Sequence, residues 1–267
     1  MNSTASKKWV DTHFHVFHAG EAVKGARYVP QYNATLSDWT VHAQRVGVTH
    51  GVWVQPSFLG EDNRMLLQAL EAHPERLRGV VVVAPETPPH VLHALNAVGV
   101  RGIRLNLSGQ SHDLAAWTQA EPVWQTMHAL DWHLELHTDS GALPHVLAQL
   151  PSSISLVLDH MAKPAQANAA DASIRAVVQR AKHSPTHIKL SGAYRLGNVD
   201  AASLAHLWLH ELGVEALLWG SDWPCTNHEQ CADYTALFAQ LQTWVGSQHL
   251  DTLLWHNPDR LYWNDQV

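Results

Sequence analysis

Eight short β-rich apolar runs, each followed by a segment of helical period, recur from one end of the 267-residue chain to the other. They are Trp9–His15, Gly51–Gln55, Gly79–Ala84, Gly102–Leu107, His133–His137, Ser155–Asp159, Ile188–Leu190 and Leu217–Gly220. Val80-Val81-Val82-Val83 is continuous rather than alternating, as suits a parallel strand covered on both faces. Between the runs lie apolar stripes such as Trp117, Trp124, Met127 and Leu130, which predict one amphipathic helix. Ser37 and Asp38 are placed to cap the first helix. Eight strand–helix units predict an α/β fold, a (β/α)₈ TIM barrel, as one domain over residues 1–267. A doubly wound open sheet is the alternative. It would hold the first and last strands apart.

Composition narrows the function classes. A formal charge of −7 argues against nucleic acid, whose phosphates ask for a basic face. No apolar stretch approaches the roughly 20 residues that span a bilayer, so no membrane partner is expected. The polar start, Met1 to Lys8, and two cysteines, Cys225 and Cys231, fit a reduced, cytoplasmic protein. The 21 histidines are unusual, but most fall in helical or loop segments and say nothing of metal.

Five sets of residues carry candidate chemistry. His13 and His15 lie one residue apart on the first strand, so both side chains project to one face. His137 ends the fifth strand, His160 follows the sixth, and Asp222 follows the eighth. Each histidine alone is as readily a hydrogen-bonded core residue, and Asp222 alone is as readily a turn cap. Four histidines and an aspartate at the same end of strands one, five, six and eight point instead to a shared site, provided the sheet closes. Arg104 and Asn106 share a face of the fourth strand, with Arg101 at its entrance. A cation facing a barrel interior is costly unless paired, so Arg104 should meet a carboxylate of the protein or of a substrate. Lys163, Tyr194 and Arg195 follow strands six and seven, where solvated rim charges are the bland reading for Lys163.

In this order the motifs resemble the amidohydrolase superfamily, in the branch of 2-pyrone-4,6-dicarboxylate lactonases and related sugar lactonases. The segments that carry the resemblance include Asp11–Phe17, Arg27-Tyr28-Val29-Pro30 and Val54-Gln55-Pro56-Ser57. They continue with Arg101–Leu107, Leu158-Asp159-His160-Met161-Ala162-Lys163-Pro164, Lys189–Arg195 and Leu218–Pro224. The resemblance implies a (β/α)₈ barrel that hydrolyses a small lactone, anionic or polyhydroxylated. It implies Asp222 as the general base, with His13, His15 and His160 around the carbonyl. Tyr28, Ser57, Arg101 or Arg104, Lys163, Tyr194 and Arg195 would be the groups that hold substrate. Two departures matter. Lys163 stands where the dicarboxylate lactonases carry Arg, and Lys makes no bidentate fork to a carboxylate. No strand-four lysine of the kind carboxylated in binuclear members is present, so at most one metal is expected. A single divalent ion, zinc or manganese, on His13, His15, His137 and Asp222 stays open beside metal-free catalysis. The rival readings are a metal-dependent sugar-lactone hydrolase, a decarboxylase of the same superfamily, and a non-catalytic binding protein.

Overall fold

The computed structural model of the chain describes residues 8–230 and 233–263. Cys231 and the start of the polar N-terminal segment, residues 1–7, lie outside them. The strands are β1 (Trp9–Phe14), β2 (Val48–Val54), β3 (Leu77–Val81), β4 (Val100–Asn106), β5 (His133–His137), β6 (Ser155–Leu158), β7 (Thr186–Leu190) and β8 (Leu217–Trp219). The α-helices that follow are α1 (Leu36–Arg45), α2 (Arg64–Ala72), α3 (Pro89–Ala97), α4 (Glu121–Ala129), α5 (Leu143–Leu147), α6 (Ala172–Ala181), α7 (Ala201–Leu212) and α8 (Tyr234–Val245). All seven adjacent strand pairs are parallel, in the order β1 to β8. An open doubly wound sheet would reverse that order partway, so the fold is the (β/α)₈ barrel.

Closure occurs between the chain's two distant ends. The His15 amide donates to Trp223 O (2.8 Å), the Asp222 amide to His13 O (2.8 Å), and Thr12 Oγ1 to Trp219 O (2.8 Å). Gly220 makes the approach possible, because a Cβ there would lie 2.5 Å from His13 Cβ. The Asp11 carboxylate, wholly buried, fastens the seam. Its oxygens accept from the amides of His13 and Ser221 and from Ser221 Oγ, Trp39 Nε1 and Tyr234 OH. Acceptor-only chemistry suits a place ringed by five donors.

The strands alternate more than their apolar character predicts. In β5, Leu134 and Leu136 join the large outer core against the helices, while His133, Glu135 and His137 are buried on the inner side. Val10, Val52, Val54, Val80, Val157 and Leu218 form a second buried cluster, with Tyr262 from the last helical turn, Asp259–Trp263, packed among them. The barrel interior is therefore packed with side chains.

Two local readings are corrected. The first helix is capped by Thr35, whose side chain accepts from the Asp38 amide (3.1 Å) while Asp38 Oδ2 accepts from the Thr35 amide (3.1 Å). Ser37 is already helical, and Asp38 is the reciprocating partner of this capping box. Trp117 lies outside α4, in a separate turn, Ala115–Trp117, because Pro122 favours the first turn and starts the helix at Glu121. The tryptophan pair still packs, with ring centroids of Trp117 and Trp124 5.0 Å apart. Among the described residues, no helix is long and apolar enough to cross a membrane.

Candidate active site

His13, His15 and Asp222 meet at the mouth of the barrel. The two Nε2 atoms are 3.2 Å apart, and each is 3.6 Å from Asp222 Oδ1. His160 Nε2 approaches the other carboxylate oxygen at 4.0 Å. That oxygen, Oδ2, also accepts from Arg195 Nε (2.6 Å) and Tyr194 OH (2.8 Å). Burial disfavours ionisation of Asp222, yet Arg195, His160, His15 and His13 outweigh it and hold the carboxyl well below its ordinary range. Oδ2 is saturated. Oδ1 is left facing the histidines.

Backbone geometry sets these side chains. Asp222 has φ of 58°. His160, Met161, Ala162 and Lys163 form a left-handed run, with φ of 49°, 56°, 62° and 41°. Such conformations cost non-glycine residues energy and persist only where surroundings enforce them. Here Trp208 Nε1 donates to Met161 O (3.0 Å), and His160 Nδ1 meets Ser191 Oγ (3.1 Å). Gly192 gives His160 its space, since a Cβ there would lie 2.5 Å from Nδ1.

A cavity of about 520 Å³ opens above this group, lined by His15, Tyr28, Ser57, Arg104, Asn106, His137, His160, Arg195 and Asp222, among others. Lys24 and Arg27 of the β1–α1 loop join its rim. Arg104 is paired inside the protein, through Nη2 to Asp159 Oδ2 (3.2 Å), as a charge so placed requires. Arg101, by contrast, is carried to the opposite end of β4, where Nη1 donates to Asn96 O (3.0 Å) and Val100 O (2.8 Å). Of the two arginines only Arg104 reaches the cavity. Lys163 lies in a neighbouring hollow with Ser140 and Arg195. Tyr194 reaches Asp222 but does not line the cavity.

Sequence reasoning missed the floor of the site. Lys189 Nζ lies 2.5 Å from Glu135 Oε2, and His13 Nδ1 lies 3.1 Å from Asp159 Oδ1 and 3.4 Å from Glu135 Oε1. All four side chains are fully buried. Burial, with the Asp159 carboxylate alongside, pushes the Glu135 carboxyl up. Burial opposes ionisation of Asp159 too, but His13, Lys189 and Arg104 hold it well below the usual range. The signal was present in the charged residues interrupting apolar runs, Glu135 in His133-Leu134-Glu135-Leu136-His137 and Lys189 in β7.

The donor set can be tested against a metal ion. Zinc holds its ligands at about 2.0–2.2 Å, which in a tetrahedron sets them about 3.3–3.6 Å apart. The His13–His15–Asp222 triangle matches that spacing, and a second group, His13, Asp159 and His160, also converges. His15 fits further, because Nδ1 at 2.7 Å from Val54 O must donate to that carbonyl, so Nε2 is the ring nitrogen turned to the site. His13 also fits in place, and its Nδ1 lies between Lys189 Nζ (3.2 Å), which only donates, and Asp159 Oδ1 (3.1 Å), which only accepts. His137 belongs to neither group; its ring stands edge-on to His160 at 4.6 Å between centroids. Both its nitrogens lack a protein partner.

Comparison with known proteins gives concordant relatives. The chain is 28% identical over 94% of its length to a 4-sulfomuconolactone hydrolase of Rhizobium radiobacter, covering 89% of that protein. It is 26% identical over 97% of its length to a 2-pyrone-4,6-dicarboxylate hydrolase of Comamonas testosteroni, covering 91% of it. A crystal structure of a probable 2-pyrone-4,6-dicarboxylic acid hydrolase from Acinetobacter baumannii, with citric acid bound, superimposes with a TM-score of 0.82 at 32% identity, covering 96% of this chain and 99% of that one. A family model for amidohydrolases matches residues 10–263, nearly the whole barrel, and the chain belongs to the amidohydrolase family.

Proposed function

We propose that this chain hydrolyses a small lactone bearing anionic groups, with Asp222 as the general base. One observation carries the reading: Tyr194 and Arg195 occupy Asp222 Oδ2, so Oδ1 alone is turned to His13, His15 and the cavity. A water donating to Oδ1 would attack the lactone carbonyl held above it. The oxyanion would form beside His13, His15 and His160, where a donor aimed at developing charge contributes about 3–4 kcal/mol. The low proton affinity of Asp222 suits a proton held briefly and returned to the departing ring oxygen. His15 and Asp222 are placed to hold one divalent ion, which would polarise the carbonyl if bound. Each step above is assigned to the side chains themselves.

Lys24, Arg27, Arg104 and Arg195 around one cavity in a chain of formal charge −7 support an anionic substrate. The relatives named for a sulfonated lactone and a pyrone dicarboxylate, and the citrate in a third, support the same class. Tyr28 and Ser57 are read as further substrate contacts from their place in the lining, and Lys163 as a charge at its outer margin. A free, buried Cys225 is in keeping with a reducing compartment such as the cytoplasm. The test is a pH-indicator screen of carboxylated, sulfonated and sugar lactones, with and without chelator. Acid release is expected on an anionic lactone, and Asp222→Asn should lower kcat by about 10²–10⁴-fold with substrate binding retained. Full turnover in that variant would remove Asp222 from its role.

A further inference from the structure

The β1–α1 loop leaves the barrel wall and crosses its mouth. Its base is pinned where Phe17 and Ala34 exchange backbone hydrogen bonds, at 3.0 and 2.9 Å. Residues 23–28 then line the cavity in unbroken succession. The loop has little packing of its own there. Val23 is 44% exposed, and no atom lies within 4 Å of where a Cβ would sit at Gly20 or Gly25. Its place comes from contacts with other strand ends. The Val23 amide donates to Phe58 O (2.8 Å) after β2, and Arg27 Nη1 donates to Ser108 O after β4. After β8, Glu229 Oε1 accepts from Tyr32 OH (2.8 Å) and Tyr28 OH (3.3 Å).

Glu229 takes no part in the reaction above. Its Oε1 also accepts from the Asn227 amide (3.0 Å), so the carboxylate is oriented by its own loop as well as by the tyrosines. Both rings rest on phenylalanines, Tyr28 on Phe58 and Tyr32 on Phe17, with centroids 5.3 Å apart in each pair. The hydroxyls alone reach across to the β8 side. A carboxylate only accepts and a phenol has one proton to give, so the contacts are complementary and charge-assisted. The same loop carries the unspent positive charge of the cavity. Arg104 and Arg195 already face Asp159 and Asp222, at 3.2 and 2.6 Å. Lys24 and Arg27 meet no carboxylate among the described residues, which leaves their charge to an incoming anion.

We propose that Glu229 is a positioning residue: it latches the β1–α1 loop across the cavity and so holds Lys24 and Arg27 where they bind the anionic group of the substrate. The latch stands on its hydrogen bonds; its effect on turnover rests on the lactonase reading. Amide hydrogen exchange reads the latch without substrate. Glu229→Ala should speed exchange in residues 17–34 at least about tenfold with the strands unchanged, and Glu229→Gln, which keeps an acceptor oxygen, should recover most of the protection. Calorimetry with citrate as the probe reads the charge: Kd should rise about threefold or more in Glu229→Ala and in Lys24→Gln, the latter with parental exchange. On an anionic lactone found to be hydrolysed, Glu229→Ala should raise KM about threefold or more with kcat within about twofold. Parental exchange in Glu229→Ala, or a citrate affinity absent from the parent or unchanged in either variant, overturns the proposal. A parental KM in Glu229→Ala on a hydrolysed lactone overturns it too, and leaves the reaction standing. The expected exchange and citrate affinities in a protein inactive on every lactone would support the latch and count against the reaction.

Discussion

Arg195 performs two jobs on one carboxylate. Its Nε donates to Asp222 Oδ2 at 2.6 Å, fixing the carboxylate plane, and its charge is the largest influence favouring ionised Asp222 against burial. Removing the guanidinium therefore raises the Asp222 value. Because the base works ionised, Arg195→Met should move the acid limb of the kcat/KM profile to higher pH, and activity at pH 5 relative to pH 8 should fall. A limb that stays in place would mean that Asp222 is set by the histidines alone. At this scale the sequence was informative about which side chains meet at the strand ends, such as His13, His15, His160 and Asp222. It could not separate Arg101 from Arg104, since both stand in β4 and only the register decides which one faces the cavity. It missed Glu135 and Lys189 because a charge inside an apolar run looks like noise until the opposite wall supplies its partner, here 54 residues away.

Among the elements, the turn after β6 is held tightly. Four successive non-glycine residues with positive φ, His160 to Lys163, are held by Trp208 and Ser191 and leave little slack beside β7. Gly192→Ala would combine an unfavourable φ of +57° with a Cβ 2.5 Å from His160 Nδ1. It should cost about 2–4 kcal/mol in denaturant unfolding and lower turnover through a displaced His160. A variant as stable and active as the parent would show that the turn has room to yield. Strand positions were legible from apolar runs, but helix starts were not legible to the residue. Thr35 and Pro122 set them through caps and fixed dihedrals that periodicity does not report.

Taken as a whole, the molecule stores unprotonated imidazoles. Burial holds His133 and His160 down to about 3, whereas in an unfolded chain they titrate near about 6.5. Between those values the unfolded state binds protons that the folded state refuses, so stability falls as pH drops, by up to about 1.4 kcal/mol per pH unit for each residue. Glu135, raised by burial, works in the opposite sense. Scanning calorimetry should find Tm lower at pH 5 than at pH 7 by on the order of 5–10 °C; an equal or higher Tm at pH 5 would contradict this account. The barrel itself was readable from eight repeating units, because a site drawing on β1 and β8 demands a closed sheet. That same seam has a consequence for synthesis. The ribosome releases β1 more than two hundred residues before Ser221, which bonds Asp11 across a separation of 210 positions. Until Ser221 and Tyr234 have been made, the first strand carries a carboxylate without its distant partners. The reaction chamber is thus completed late in synthesis, and a chain cut short before Ser221 has no way to assemble it.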